Sequence, residues 1–161
     1  MTGSNVELIE RFYRAFSEGD GETMASCYAP GVHFSDPVFP DLRGPRAGAM
    51  WKMLTEGPGE LRIELLEHEA DERSGTAHWR AHYVFTDTGR PVINDIHATF
   101  RFEDGLIVEH HDEFSFHKWA RQALGPVGLL LGWTPIVHGA VKKKAGARLD
   151  EYTASPAASG T

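Results

Sequence analysis

An α+β fold follows from a change of period part-way along the chain. Up to Glu56 the apolar residues recur at helical spacing in three segments. From Leu61 to Phe116 they alternate along four long runs separated by short turns. Helices first and strands afterwards predict a curved antiparallel sheet folded over three N-terminal helices. A length of 161 residues suits one domain with a sizeable core.

Val6, Ile9, Phe12, Tyr13 and Phe16 form the stripe of the first helix, with Ser4 or Asn5 as cap and an end near Gly19. Asp20 has the side chain of an N-cap and opens a second short helix, expected to run through Tyr28 to a stop at Pro30. "VHFSDP" reads as a short strand ending at Pro37, and "FPDLRGP" as a loop. The third helix runs from about Pro45 to Glu56, with Met50, Trp51 and Leu54 on one face and "GPG" as its stop. The strand runs are Leu61–Ala70, Gly75–Thr86, Pro91–Glu103 and Leu106–Phe116. An extension follows. Lys118–Leu124 reads as a helix stopped by Gly125 and Pro126, and Thr134 and Pro135 start another to about Tyr152. The expected organisation is therefore an α+β domain over 1–117, a helical extension over 118–152 and a disordered tail over 153–161.

Composition narrows the function classes. Hydrophobic residues make up 41% and charged residues 24%, as in an ordinary soluble protein. A net charge of −7 disfavours nucleic acid as a partner. The start, "MTGSNVELIE", lacks the basic and apolar stretches of a secretory leader. The most apolar segment, "VGLLLGWTPIV", is too short to span a bilayer, so a membrane partner is not expected. The one cysteine, Cys27, reads as a small core residue and suits a reducing compartment, so the expected location is cytoplasmic. Residues 117–149 hold six bases and no acid, whereas the first 116 residues hold ten bases and 21 acids. The plain reading is a basic extension docked on an acidic body. Leu129, Leu130, Leu131 and Trp133 would form an exposed apolar patch unless they close the mouth of their own chain or of a dimer mate.

Strand alternation assigns faces. Trp79, Ala81, Tyr83 and Phe85 share one face with Asn94, Ile96, Ala98 and Phe100 of the next strand. In "IVEHHDEFSF", His110, Asp112 and Phe114 join this apolar face. Glu109, His111 and Glu113 point away, towards His78, Arg80, His82 and Arg101, which are placed to pair with them across strands.

"IERFYRAFSEGD", "MASCYAPGVHFSDPVFP", "LRGPRAGAMW", "TGRP" and "FRFEDGLIVEHHDEF", in this order, resemble the nuclear transport factor 2-like superfamily. It includes ketosteroid isomerase, SnoaL-like polyketide cyclases, limonene epoxide hydrolase and scytalone dehydratase. The resemblance covers residues 5 to about 117 and implies a cone-shaped α+β fold with a ligand cavity. It places Asp36, followed by Pro37, at the isomerase general-base position. The isomerase oxyanion-hole positions fall on Phe12 and Ala98, which offer no hydroxyl or carboxyl donor, so a steroid-isomerase mechanism is disfavoured. In SnoaL-like cyclases the acid/base is a pocket aspartate, and Asp112 fits that place. By parity Arg80 and Arg101 face outward, away from any hydrolase-like arrangement.

The expected site has Asp112 as main acid/base, His110 as its assistant and Asp36 as a second carboxylate near the mouth. Asn94 and Tyr83 would orient a substrate, and Trp51, Trp79, Phe100 and Phe114 would line the pocket. Adjacent His110 and His111 point opposite ways, and neither "HExxH" nor "CxxC" occurs, so no metal is expected. No phosphate-cradling loop or serine elbow appears, and no cofactor is expected. The expected substrate is a small, apolar, oxygenated molecule that undergoes cyclisation, isomerisation, dehydration or epoxide opening. The alternative is a noncatalytic ligand-binding or dimerisation domain. A homodimer through the outer sheet face is expected, as many proteins of this fold pair that way.

Overall fold

The computed structural model describes residues 2–57 and 59–154. Its elements are α1 (Thr2–Ser17), α2 (Gly21–Ser26), β1 (Tyr28–Ser35), β2 (Leu42–Arg43), α3 (Pro45–Glu56), β3 (Leu61–Ala70), β4 (Ser74–Phe85), β5 (Arg90–Glu103), β6 (Leu106–Glu113), α4 (Phe116–Leu124), α5 (Pro126–Leu131) and α6 (Pro135–Ala154). One six-stranded sheet has the order β2-β1-β6-β5-β4-β3. Its pairs are antiparallel except β1 with β6, which run parallel. The sheet curves over the helices, and the core lies between its concave face and α1 to α3.

Several ends differ from the sequence expectation. Helix α1 starts at Thr2, so neither Ser4 nor Asn5 caps it. The Asn5 amide instead donates to the Asp71 and Glu72 carbonyls at 2.9 and 3.2 Å, tying the helix to the β3–β4 turn. Asp20 does cap α2, accepting from the Thr23 N–H at 3.0 Å. That helix ends at Ser26, and Tyr28 begins β1 instead of closing a helix. Tyr28, Val32 and Phe34 of this strand are buried, and its register against β6 shifts between Tyr28 and His33, across Pro30 and Gly31. The β5–β6 hairpin turns at Asp104 and Gly105, both at positive φ (52° and 77°), a backbone that asparagine, aspartate and glycine tolerate best. The extension holds three helices, the middle one unforeseen, and α6 continues to Ala154. Residues 155–161 of the expected tail lie outside the described residues.

The faces follow the alternation. β5 alternates strictly between exposed and buried from Pro91 to Glu103. A register shift between Arg101 and Phe102 leaves Val108 unpaired on β6. That bulge precedes His110, so it does not disturb the run that carries the candidate site. On the outer face most charges already pair within the chain. Asp95 accepts from His78 at 3.1 Å and Arg80 at 3.0 Å, His82 meets Glu64 at 2.7 Å, and Arg101 meets Glu109 at 3.3 Å. Of the four outer-face bases, only Arg101 finds its expected partner on β6.

Candidate active site

A cavity of about 880 Å³ opens between the concave face of the sheet, α3 and α6. Its wall includes Asp36, Trp51, Trp79, Tyr83, Asn94, Asp112 and Phe114. Each strand delivers its share by the two-residue period: Trp79 and Tyr83 from β4, Asn94 from β5, Asp112 from β6. Trp51 comes from the buried face of α3, and Asp36 sits one residue beyond β1. The rest is largely apolar, including Phe16, Phe39, Met50 and Ile96.

Two expected members are not on this wall. The His110 side chain has no exposure and lies behind Asp112, and Phe100 packs against His110 with ring centroids 4.4 Å apart. Alternation gives the face of a side chain but not its depth. His110 pairs opposite Phe34 and Phe100, with Phe12 above, where no open space remains.

His110 is held from both sides. Its Nε2 lies 2.9 Å from Asp112 Oδ1, its Nδ1 lies 2.7 Å from the Tyr28 hydroxyl, and the Trp51 indole N–H lies 2.7 Å from that hydroxyl. The indole only donates, so the Tyr28 oxygen accepts from it and the Tyr28 proton goes to His110 Nδ1. The imidazole proton is then assigned to Nε2 and points at the Asp112 carboxylate. This ordered chain, Trp51 to Tyr28 to His110 to Asp112, fixes the rotamer of Asp112 and employs only one of its oxygens. Oδ2 has no hydrogen bond among the described residues. The Tyr28 hydroxyl is pushed well above its ordinary pKa by burial, with the Asp112 charge adding to it and the Trp51 bond opposing it.

Asp36 closes a local turn. Its Oδ1 accepts from the Val38 and Phe39 N–H groups at 2.7 and 2.6 Å. The turn role and the cavity position coexist. Burial raises the pKa of this carboxyl to about 7, against the lowering effect of those two N–H bonds, and the Asp112 charge raises it further. The Tyr83 hydroxyl accepts from the Trp119 indole at 2.7 Å and so keeps its own proton to donate. Burial holds Tyr83 above its ordinary pKa. Trp79 Nε1 and the Tyr13 hydroxyl are buried with no hydrogen-bond partner. Burial, and after it the Asp112 charge, pushes the Tyr13 hydroxyl upward.

Sequence reasoning missed Tyr28, Trp119 and the whole contribution of α6. Tyr28, Val32 and Phe34 were readable as same-face strand residues. From α6, Ile136, Val137, Ala140, Val141, Lys144 and Arg148 reach the cavity in a helical stripe. Among the described residues no cluster of three or more metal-ligating side chains occurs.

The profile of the SnoaL-like domain matches residues 9–110. The chain belongs to this family. Its fold is that of the nuclear transport factor 2-like superfamily, as structural neighbours show. An epoxide hydrolase of M. tuberculosis, described as LEH-like, superposes with a TM-score of 0.65 at 18% identity, over 81% of this chain and 97% of that one. A candidate SnoaL-like polyketide cyclase of Jannaschia sp. CCS1 gives 0.68 at 15% identity, over 78% and 94%. An NTF2-like protein of unknown function from Burkholderia pseudomallei K96243 gives 0.64 at 18%, over 74% and 96%. At these identities the likeness is one of fold. No curated protein matches the chain. In this SnoaL-like chain the matched residues end at His110, two residues short of its buried partner Asp112.

Proposed function

We infer that the cavity is the active site of an enzyme performing acid/base chemistry on a small, apolar, oxygenated molecule. The observation that carries the reading is the pair of carboxylates on one cavity wall. Asp112 is oriented through His110 with Oδ2 unemployed, and Asp36 titrates at about 7. Two carboxyl groups whose surroundings separate their roles are a recurrent arrangement for moving a proton off one atom and onto another. Asp112 takes the proton next to a carbonyl, hydroxyl or epoxide. Asp36, half protonated near neutrality, returns one. Tyr83 donates to the substrate oxygen as charge develops there. His110 acts through Asp112 as a positioning residue. The resulting reaction class is cyclisation, isomerisation, dehydration or ring opening, none of which calls for a cofactor.

The noncatalytic alternative predicts a carboxylate consumed by backbone groups and no open cavity. The partners of Asp112 are side chains, and the cavity is open, which supports the enzyme.

The test is Asp112→Asn. Asparagine keeps the shape and can still accept from His110, but cannot take up a proton. Crystals soaked with a panel of enones, epoxides and polyketide-like ketones would supply a substrate. On it the variant should keep its melting temperature and lose about 10²–10⁴-fold in kcat. Near-native turnover by the variant would show Asp112 to be structural.

A further inference from the structure

Helix α5 is docked by its small face. A Cβ at Gly128 would lie 1.8 Å from the Ala120 carbonyl oxygen, and one at Gly132 would lie 2.4 Å from the Gly128 oxygen and 2.8 Å from the Ala120 Cβ. Only glycine allows this approach to α4. The large residues of α5 are therefore turned away from the protein on a rigid seat. Leu129 and Leu131 are about half exposed, Leu130 is 68%, Trp133 72% and Ile136 82% exposed. The expected closing of their own chain's cone by these leucines does not occur, since α6 covers the cavity and the leucines are not among its lining.

The carbonyls at the end of this helix are closed by side chains. The last three carbonyls of α5 each accept from a side chain: Leu129 from His117 Nε2 at 3.3 Å, Leu130 from the Trp133 indole at 3.0 Å, Leu131 from the Thr134 hydroxyl at 2.6 Å. Carbonyls facing water need no such partners, whereas carbonyls leaving water do. The Trp133 ring, its N–H already spent, presents only apolar surface.

Charge narrows what covers the patch. Residues 117–149 contain no acid. Lys144 and Arg148 pair with Asp87, whereas Lys118, Arg121, Lys142 and Lys143 form no ion pair among the described residues. Arg121 adjoins the Gly128 contact and Lys143 shares the side of α6 that carries Ile136, so a two-fold contact of patch on patch would bring these bases towards their own copies, and a head-to-tail contact would not close. An anionic surface has neither difficulty.

We propose that α5, Trp133 and the start of α6 form a peripheral membrane-binding face, which inserts its leucines and Trp133 at the lipid interface and sets its free bases against anionic headgroups. No helix of the described residues is long and apolar enough to cross a bilayer, and this face would lie on one instead. Ile136 belongs both to the face and to the cavity wall, so the cavity mouth borders the lipid.

Sedimentation of the full chain with phosphatidylglycerol/phosphatidylcholine vesicles tests this, beside vesicles of phosphatidylcholine alone. Binding is expected to the anionic vesicles, falling steeply with salt. Leu130→Asp with Trp133→Asp, both at exposed sites, should leave the fold and melting temperature intact and remove binding. Each of Lys142→Gln and Lys143→Gln should weaken it about fivefold. No binding to either vesicle overturns the proposal. So does a dimer that the Leu130→Asp/Trp133→Asp chain loses while vesicles bind neither chain, because the face would then serve a second copy. Asp112→Asn should bind vesicles as the wild type does, which separates this result from the fate of the proposed acid/base role.

Discussion

Asp112 is held from behind by layer upon layer of side chains, whereas α6, which covers the same cavity, is held mostly at its rim. Behind Asp112 stands His110, and around His110 stand Phe12, Tyr28, Phe34, Trp51 and Phe100, all with ring centroids within about 6 Å of it. Helix α6 buries one residue fully, Leu149. Val141 and Ala145 pack at the edge of the core, and its remaining ties are mostly polar: His138 to the Pro37 carbonyl at 2.6 Å, Lys144 and Arg148 to Asp87, Asp150 to Arg46 at 2.9 Å, and Tyr152 to Glu56 at 2.6 Å. The floor owes its stability to dispersion and apolar burial, which act at all times. The cover owes its position to a thin, partly buried apolar stripe and to partly exposed polar ties, each worth little. The proposed chemistry needs a carboxylate in one place and uses the first, whereas the second is the part of the wall freer to shift.

The strongest way to break this contrast is Phe12→Ala. Phe12 is fully buried against Tyr13, Tyr28, Trp51 and His110, so the cavity left should cost ~3–5 kcal/mol in urea unfolding. A loss below about 1 kcal/mol would mean the floor is as loosely made as the cover.

Tyr28→Phe comes next. It leaves the Trp51 N–H and His110 Nδ1 buried without partners, at ~1–3 kcal/mol each. The melting temperature should fall, and the acid limb of the pH–rate profile should move, because Nδ1 loses the hydroxyl donor opposite it and only the Asp112 carboxylate then orders the imidazole. An unchanged profile would limit Tyr28 to packing.

Asp36→Asn sharpens the contrast through pH. A carboxyl at about 7 in the folded chain but near its ordinary value when unfolded costs nothing below pH ~4. The cost grows between pH 4 and 7 and is complete above that, because the unfolded chain has given up a proton that the folded chain retains. Asparagine can still accept from Val38 and Phe39, so the variant should match the wild type at pH 4. At pH 8 it should be more stable by on the order of 2 kcal/mol, about half the full linkage value because the open cavity admits water. Equal stabilities at pH 8 would place Asp36 in well-hydrated surroundings.

The smallest effect on global stability belongs to Asp87→Ala, which frees Lys144 and Arg148 together. Unfolding should change by less than ~1 kcal/mol. Proteolysis within α6 and ligand on-rates should both rise. If neither rises, the cover is held by its apolar stripe and not by its rim.

Much of the floor was legible in the chain. Two-residue alternation put Asp112 and His110 on the inner face and Glu109, His111 and Glu113 on the outer one, because a β-strand has no freedom to present a side chain otherwise unless a bulge intervenes. The bulge that does occur, at Val108, falls before the critical run. The α+β class was legible because the order of periods leaves few ways to bury every apolar face, and the superfamily came from the resemblance of the segments around it. The start of α3 at Pro45 and the capping of α2 by Asp20 were read from single residues whose backbone preferences are strong.

The remainder was decided by contacts between segments far apart in sequence, which local period does not encode. His110 lies beyond the cavity because β1, β5 and α1 converge there, 82 positions separating it from the Tyr28 that holds it. The identity of Asp36 was visible, but its raised pKa comes from the burial that the folded neighbours impose and from the charge of Asp112. Helix α5 went unseen because glycines read as helix stoppers until a partner helix is present to use their lack of a side chain. In the sequence "VGLLLGWTPIV" looked like core in want of a cover. Only the tertiary packing shows the glycines turned inward and the leucines outward, because backbone can approach backbone that closely on the glycine side alone.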